Sequence, residues 1–159
     1  MTIFVGIGEY AVTCQRDAIV RTLGLGSCVA VALFSKKNLA VGLLHVQLPE
    51  SRVNQDLAAR RPGSFADTGI PLLISEMAKH GCSAADLYVK LIGAAQVMDP
   101  NNTFNIGKRN YLAVKKVLWA NRLFPVSEEI GGNFSRSVTI TMENSNVLIH
   151  TPGYEDRVI

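Results

Sequence analysis

The chain has 159 residues, 48% apolar and 18% charged, with 16 Lys and Arg against 13 Asp and Glu for a net charge of +3. A chain of this length buries roughly two thirds of its unfolded surface, so one domain over residues 1–159 is expected, and it needs no disulfide or metal staple. The apolar content excludes a disordered chain, and so small a positive excess does not by itself argue for nucleic acid.

Met1 to Glu9 lacks the basic stretch of a signal peptide. No run reaches the about 18 apolar residues of a membrane span, so a cytoplasmic protein with reduced thiols is expected, without membrane insertion. Ile3-Phe4-Val5, Ala18-Ile19-Val20, Cys28 to Phe34 and Leu39 to Leu48 are short apolar runs that predict strands. The run from Cys28 to Phe34 is apolar throughout, which predicts a strand covered on both faces.

A polar stretch follows from Glu50 to Gly63, read either as a solvated loop or as a flap beside a site. Ile70, Leu73, Ile74 and Met77 recur at helical spacing, with Gly81 as the stop and Pro71 tolerable only in the first turn. Leu87 to Ile92 predicts a strand and Gly93 to Thr103 a loop. A second helix carries Ile106, Ala113, Val114, Val117 and Leu118 on one stripe. Phe124 to Ile130 returns to strand, Gly131-Gly132-Asn133 turns, and Ser137 to Met142 pairs as a hairpin with Val147 to Thr151. The order predicts an α+β domain with helices on a sheet layer.

Three cysteines, Cys14, Cys28 and Cys82, form no C-x-x-C and have no histidine at zinc spacing, so neither a disulfide framework nor a metal site is expected. Only Cys28 finds a histidine by geometry. A hairpin loop centred on Lys36-Lys37 opposes residues whose numbers sum to 73, which puts Cys28 opposite His45 with Cβ atoms about 4.5–5.5 Å apart. An imidazole beside a thiol can take its proton and later protonate a leaving group. Gly24-Leu25-Gly26-Ser27 ahead of the cysteine permits close approach, and the amides near Gly26 to Cys28 are placed to face an oxyanion. The plainer reading is equally open: a buried strand cysteine and a core histidine with its ring satisfied by backbone. His80 reads as a partner for a helix C-terminus and His150 as a surface residue.

Six blocks in order carry a resemblance: Gly6-Ile7-Gly8-Glu9-Tyr10, Thr22 to Val31, His45 to Pro49, Ala66-Asp67-Thr68, Asn105-Ile106-Gly107 with Arg109-Asn110, and Gly131-Gly132-Asn133 with Ser135-Arg136-Ser137. Over nearly its whole length the chain resembles the chemoreceptor glutamine deamidase family, CheD. The resemblance implies a layered α/β/β sandwich like that of the deamidating bacterial toxins, and a cysteine hydrolase that needs no cofactor. Its substrates would be glutamine side chains on the cytoplasmic part of chemotaxis receptors, converted to glutamate with release of ammonia. It also implies a triad at Cys28, His45 and Thr22, with Thr22 orienting the imidazole, and a CheC-type phosphatase as a partner. Gln47, Ala94 within Gly93-Ala94-Ala95-Gln96, and Ile130 depart from the family pattern, and Gln47 and Gln96 are candidate substrate contacts. Two other functions remain compatible with these residues: a module that mainly binds receptors and the phosphatase, and a receptor glutamate methylesterase.

Overall fold

The computed structural model describes residues 1–97 and 104–159, so the expected loop from Gly93 to Thr103 lies partly outside the described residues. In chain order the strands are β1 (Thr2–Phe4), β2 (Tyr10–Thr13), β3 (Ile19–Leu25), β4 (Val29–Ser35), β5 (Val41–Val46), β6 (Leu87–Gly93), β7 (Pro125–Ile130), β8 (Arg136–Thr141), β9 (Val147–His150) and β10 (Arg157–Val158). The helices are α1 (Gln55–Arg60), α2 (Ala66–Lys79) and α3 (Ile106–Ala120). Two five-stranded sheets form, one ordered β1-β3-β8-β9-β10 and the other β2-β5-β4-β6-β7.

Side-chain alternation in β4 and β5 explains why the second sheet is central. Val29, Val31 and Leu33 of β4, with Leu44 and Val46 of β5, join Ile70, Leu73 and Met77 of α2 and Val114 and Leu118 of α3 in one core. Cys28, Ala30, Ala32 and Phe34, with Val41 and Leu43, face the other way and pack against Val20, Val138, Ile140 and Ile149 of the first sheet. The apolar run of β4 is therefore apolar because both its faces are covered, as a period of two requires. The resulting order is helices, sheet, sheet.

The hairpin register differs from the expected one. Phe34 opposes Val41 and Ala30 opposes His45, so paired numbers sum to 75. The shift arises at the turn, where the Ser35 hydroxyl accepts the amides of Lys37 and Asn38 and the Asn38 side chain donates to the Gly81 carbonyl. Leu39 is thereby pushed out to solvent. Because the register moves by two in the sum, Cys28 and His45 keep the same face but become diagonal instead of direct neighbours.

Pro71 is also placed differently, inside α2 at its sixth residue, because the helix already starts at Ala66. The Ala66 amide donates to the Leu48 carbonyl, and Leu48 bridges Phe65, so the helix start is tied to the end of β5. The proline lacks the N–H that would reach the Asp67 carbonyl one turn earlier. The polar stretch after Pro49 is neither an open loop nor a strand: it folds into short 3-10 turns at Ser51–Val53 and Pro62–Ser64 around α1.

Candidate active site

Thr22 sits on β3 and His45 on β5, both fully buried where the two sheets face each other. Their side chains meet at 2.7 Å, Thr22 Oγ1 to His45 Nδ1. The same hydroxyl donates its single proton to the Val5 carbonyl at 2.6 Å. With that proton spent, Oγ1 can only accept, so His45 Nδ1 must carry a hydrogen and Nε2 must present its lone pair. His45 Nε2 is buried and has no hydrogen-bond partner among the described residues. Burial holds the imidazole neutral, lowering its pKa to about 4, while the Glu9 carboxylate works weakly in the opposite direction.

Cys28 lies just ahead of β4 on the face that carries Ala30, two residues from the position opposite His45. It is 9% exposed. Burial raises its thiol pKa, and its own backbone N–H partly offsets that by favouring the thiolate. At rest the thiol and the imidazole are both neutral, and no hydrogen bond joins Cys28 Sγ to His45 Nε2, so the diagonal register does not bring them into the contact expected of direct neighbours. Cys14 is exposed and Cys82 buried against Asn38, and neither has a histidine in this arrangement.

The loop bearing Cys28 is fixed from below. The Ala94 amide donates to the Cys28 carbonyl at 2.7 Å and the Ala95 amide to the Gly26 carbonyl at 2.8 Å. Gly93 is required here: its φ is +120°, and a Cβ would stand 2.3 Å from the Cys28 carbonyl oxygen. Ala94 follows with φ +55°, a left-handed conformation that costs an alanine about 1–2 kcal/mol. Gln96 continues this strap, its amide bonded to the Gly132 carbonyl. By contrast, a Cβ at Gly26 would meet nothing within 4 Å and the residue has no positive φ, so packing gives no reason for glycine there. The pairing of β3 with β8 shifts register between Thr22 and Leu25, just ahead of the Cys28 loop.

Asn110 is the residue that reasoning from the sequence did not single out as functional. It is fully buried on α3 and donates through Nδ2 to the Ser27 carbonyl at 3.0 Å and the Gln47 carbonyl at 2.9 Å. One side chain therefore ties Ser27, just ahead of Cys28, to the segment that follows His45. The signal was its spacing: 110, 114 and 118 recur every four residues on the buried stripe, where an asparagine stands among apolar residues. Gln47 itself is half-buried, with its amide on the Ser64 carbonyl. Among the described residues no three His, Cys, Asp or Glu side chains gather as a metal site.

A family model described as CheD chemotactic sensory transduction matches residues 47–151. The chain is 46% identical over 153 residues to a probable chemoreceptor glutamine deamidase CheD of Syntrophotalea carbinolica, covering 95% of this chain and 94% of that one. A second such protein, from Anaeromyxobacter dehalogenans, is 39% identical over 147 residues, covering 92% of each. A third, from Desulforamulus reducens, is 39% identical over 158 residues, covering 98% of this chain and 93% of the relative.

The chain belongs to the CheD family. The span matched by the family model begins two residues after His45, whereas the full-length CheD relatives also cover the region of Thr22, Cys28 and His45. Among the described residues no helix is long and apolar enough to cross a membrane.

Proposed function

We propose that this chain is a chemoreceptor glutamine deamidase, a cysteine amidohydrolase of chemotaxis signalling that converts receptor glutamine side chains to glutamate in the cytoplasm. The observation that carries the reading is the committed tautomer of His45: Thr22, having given its proton to Val5, leaves Nε2 as a free base on the face shared with Cys28. The CheD relatives carry this activity in their names.

In this mechanism Cys28, His45 and Thr22 act as a triad. Nε2 takes the Cys28 proton and the thiolate attacks the amide carbon of the substrate glutamine. The amides of Ser27 and Cys28, which donate to no backbone carbonyl among the described residues, hold the developing oxyanion, with Gly26 leaving room for it. The imidazolium then protonates the departing nitrogen and ammonia leaves. Nε2 next deprotonates water, whose oxygen attacks the thioester; the carbon–sulfur bond breaks, and glutamate and the Cys28 thiol are restored. The proton transfer is between two groups that are neutral at rest, so no ion pair has to be maintained in the dry interior.

Gln47 and Gln96 border this loop and are the proposed substrate contacts. The helix, sheet, sheet layering supports kinship with the fold of deamidating toxins, and a CheC-type phosphatase is the proposed regulatory partner. Incubating a receptor cytoplasmic fragment with the protein and locating mass changes by peptide mass spectrometry tests the reading. Glutamine-to-glutamate conversion lost in Cys28→Ala supports it; conversion that persists in that variant overturns it. A glutamate methyl ester at the same receptor position, hydrolysed faster than the glutamine, would make the protein a methylesterase instead.

A further inference from the structure

A groove of about 950 Å³ lies between α2, α3 and the segment from Leu48 to Val53. Its walls are largely apolar, with Pro49, Val53, Pro71, Leu112 and Val117 among them. Leu112 is 54% and Val53 65% exposed, so these side chains are presented to solvent and not used by the fold. The α3 lining runs from Ile106 to Asn121 at helical spacing, which makes the groove as long as the helix, about 22 Å for 15 residues. An apolar groove that follows α3 for its four turns, with the first residues of α2 and the segment from Leu48 to Val53 on its other side, suits a third helix laid along it.

The charge on the rim is net positive, with the cations Arg52, Arg109 and Lys116 against the carboxylates Glu50 and Asp67. Asp67 is occupied by the Ser51 amide and hydroxyl, and Glu50 is paired with Arg52. Arg109 and Lys116 line the same groove two turns apart, and neither has an ion-pair partner among the described residues. The groove also begins at the catalytic edge: Leu48 follows His45 by three residues, and Arg109 immediately precedes Asn110, which holds the Ser27 and Gln47 carbonyls.

We propose that this groove docks an amphipathic helix of the chemoreceptor substrate, apolar on one face and flanked by carboxylates that meet Arg109 and Lys116. Docked there, the receptor is held along α3 while a glutamine beside the docked segment reaches Cys28. The proposal rests on the deamidase reading and adds to it the surface that selects the substrate.

The test compares wild type, the double variant Arg109→Glu/Lys116→Glu, and Leu112→Glu by ammonia release from a receptor cytoplasmic fragment. KM is expected to rise about tenfold or more in both variants, and the wild-type KM to climb with added salt. Unfolding temperature and the rate of Cys28 alkylation report that each variant is folded with its site in place. Should the reversals perturb folding, Arg109→Ala and Lys116→Ala, milder changes at exposed side chains, are each expected to raise KM about threefold. A KM within about twofold of wild type in the folded variants overturns the proposal. So does an unchanged KM accompanied by loss of phosphatase binding or of self-association, which would give the groove to those partners. Absence of any receptor deamidation by the wild type would instead fell the functional reading on which the docking rests.

Discussion

The two faces of the central sheet are built from the same strands and differ in what they tolerate. Toward α2 and α3 the face is filled by Val29, Leu44, Leu73, Leu91 and Val114, with Asn110 of α3 as a buried polar exception. Toward the other sheet, Cys28 just ahead of β4 continues the row of Ala30, Ala32 and Phe34, and the fully buried His45 and Thr22 meet between the sheets near that end. One face thus supplies the burial that holds the sheet rigid, and the other uses that rigidity to keep a polar pair dry. The lesson is a division of labour within a single strand: odd-numbered residues of β4 stabilise, and the end of the even-numbered row is available for chemistry.

If this division is right, substitutions on the two faces separate activity from stability. The largest effect is expected for Cys28→Ala, a loss of about 10³-fold or more in receptor deamidation with the unfolding midpoint nearly unmoved. On the opposite face Leu91→Ala should cost 2–5 kcal/mol, about the range for a fully buried leucine, in denaturant titrations, leaving kcat of the folded fraction near wild type. A large drop in kcat there would show that the two faces are not independent.

The buried imidazole gives the polar face a pH signature. His45 titrates at about 4 when folded, against 6.5 when free. Between those values the unfolded chain binds the extra proton, so this contribution to stability is complete above 6.5 and drains away as the pH falls toward 4. The loss is on the order of 3 kcal/mol. Chemical denaturation at several pH values should show a steeper acid decline in wild type than in His45→Gln; equal slopes would contradict burial as the cause.

Thr22→Val removes both the acceptor for Nδ1 and the donor to Val5, and should lower kcat on the order of 100-fold, with Thr22→Ser recovering most of it. A valine variant with wild-type kcat would reduce Thr22 to packing. The smallest effect is a gain: Ala94→Gly relieves the left-handed strain beneath Cys28 and should stabilise the protein by about 0.5 kcal/mol, after the entropy glycine adds to the unfolded chain. Thermal unfolding resolves that sign.

Most elements were legible because their periods were. The all-apolar β4, the stripe of α3 and the glycine stop of α2, where Gly81 has φ +80°, follow from spacing alone. What was hidden depended on tertiary partners. β2 is an edge strand with one buried residue, so it shows no alternation to read. The start of α2 is set by a backbone bond to Leu48, which no side chain announces. The hairpin register turned on a serine hydroxyl and on a contact between Asn38 and Gly81, 43 residues apart. The site was half legible: same-face placement of Cys28 and His45 survives a register change of two, whereas the roles of Val5, Asn110 and Ala94 depend on close approaches between distant segments.

The short β1 strand carries more than its three residues imply. It pairs in parallel with β3, and the chain continues through the Val5 amide, bonded to the Arg21 carbonyl at 2.8 Å, so that the Val5 carbonyl is held over Thr22. Were that strand to peel away, the Thr22 hydroxyl would be released to donate to Nδ1, and the imidazole would exchange its free lone pair for an N–H facing the thiol. In the proposed triad a donor would then stand where a base is needed. On the proposed mechanism, the competence of residues in the middle of the chain would be conditional on its first few residues being docked, a form of proofreading in which chemistry waits for the fold to close.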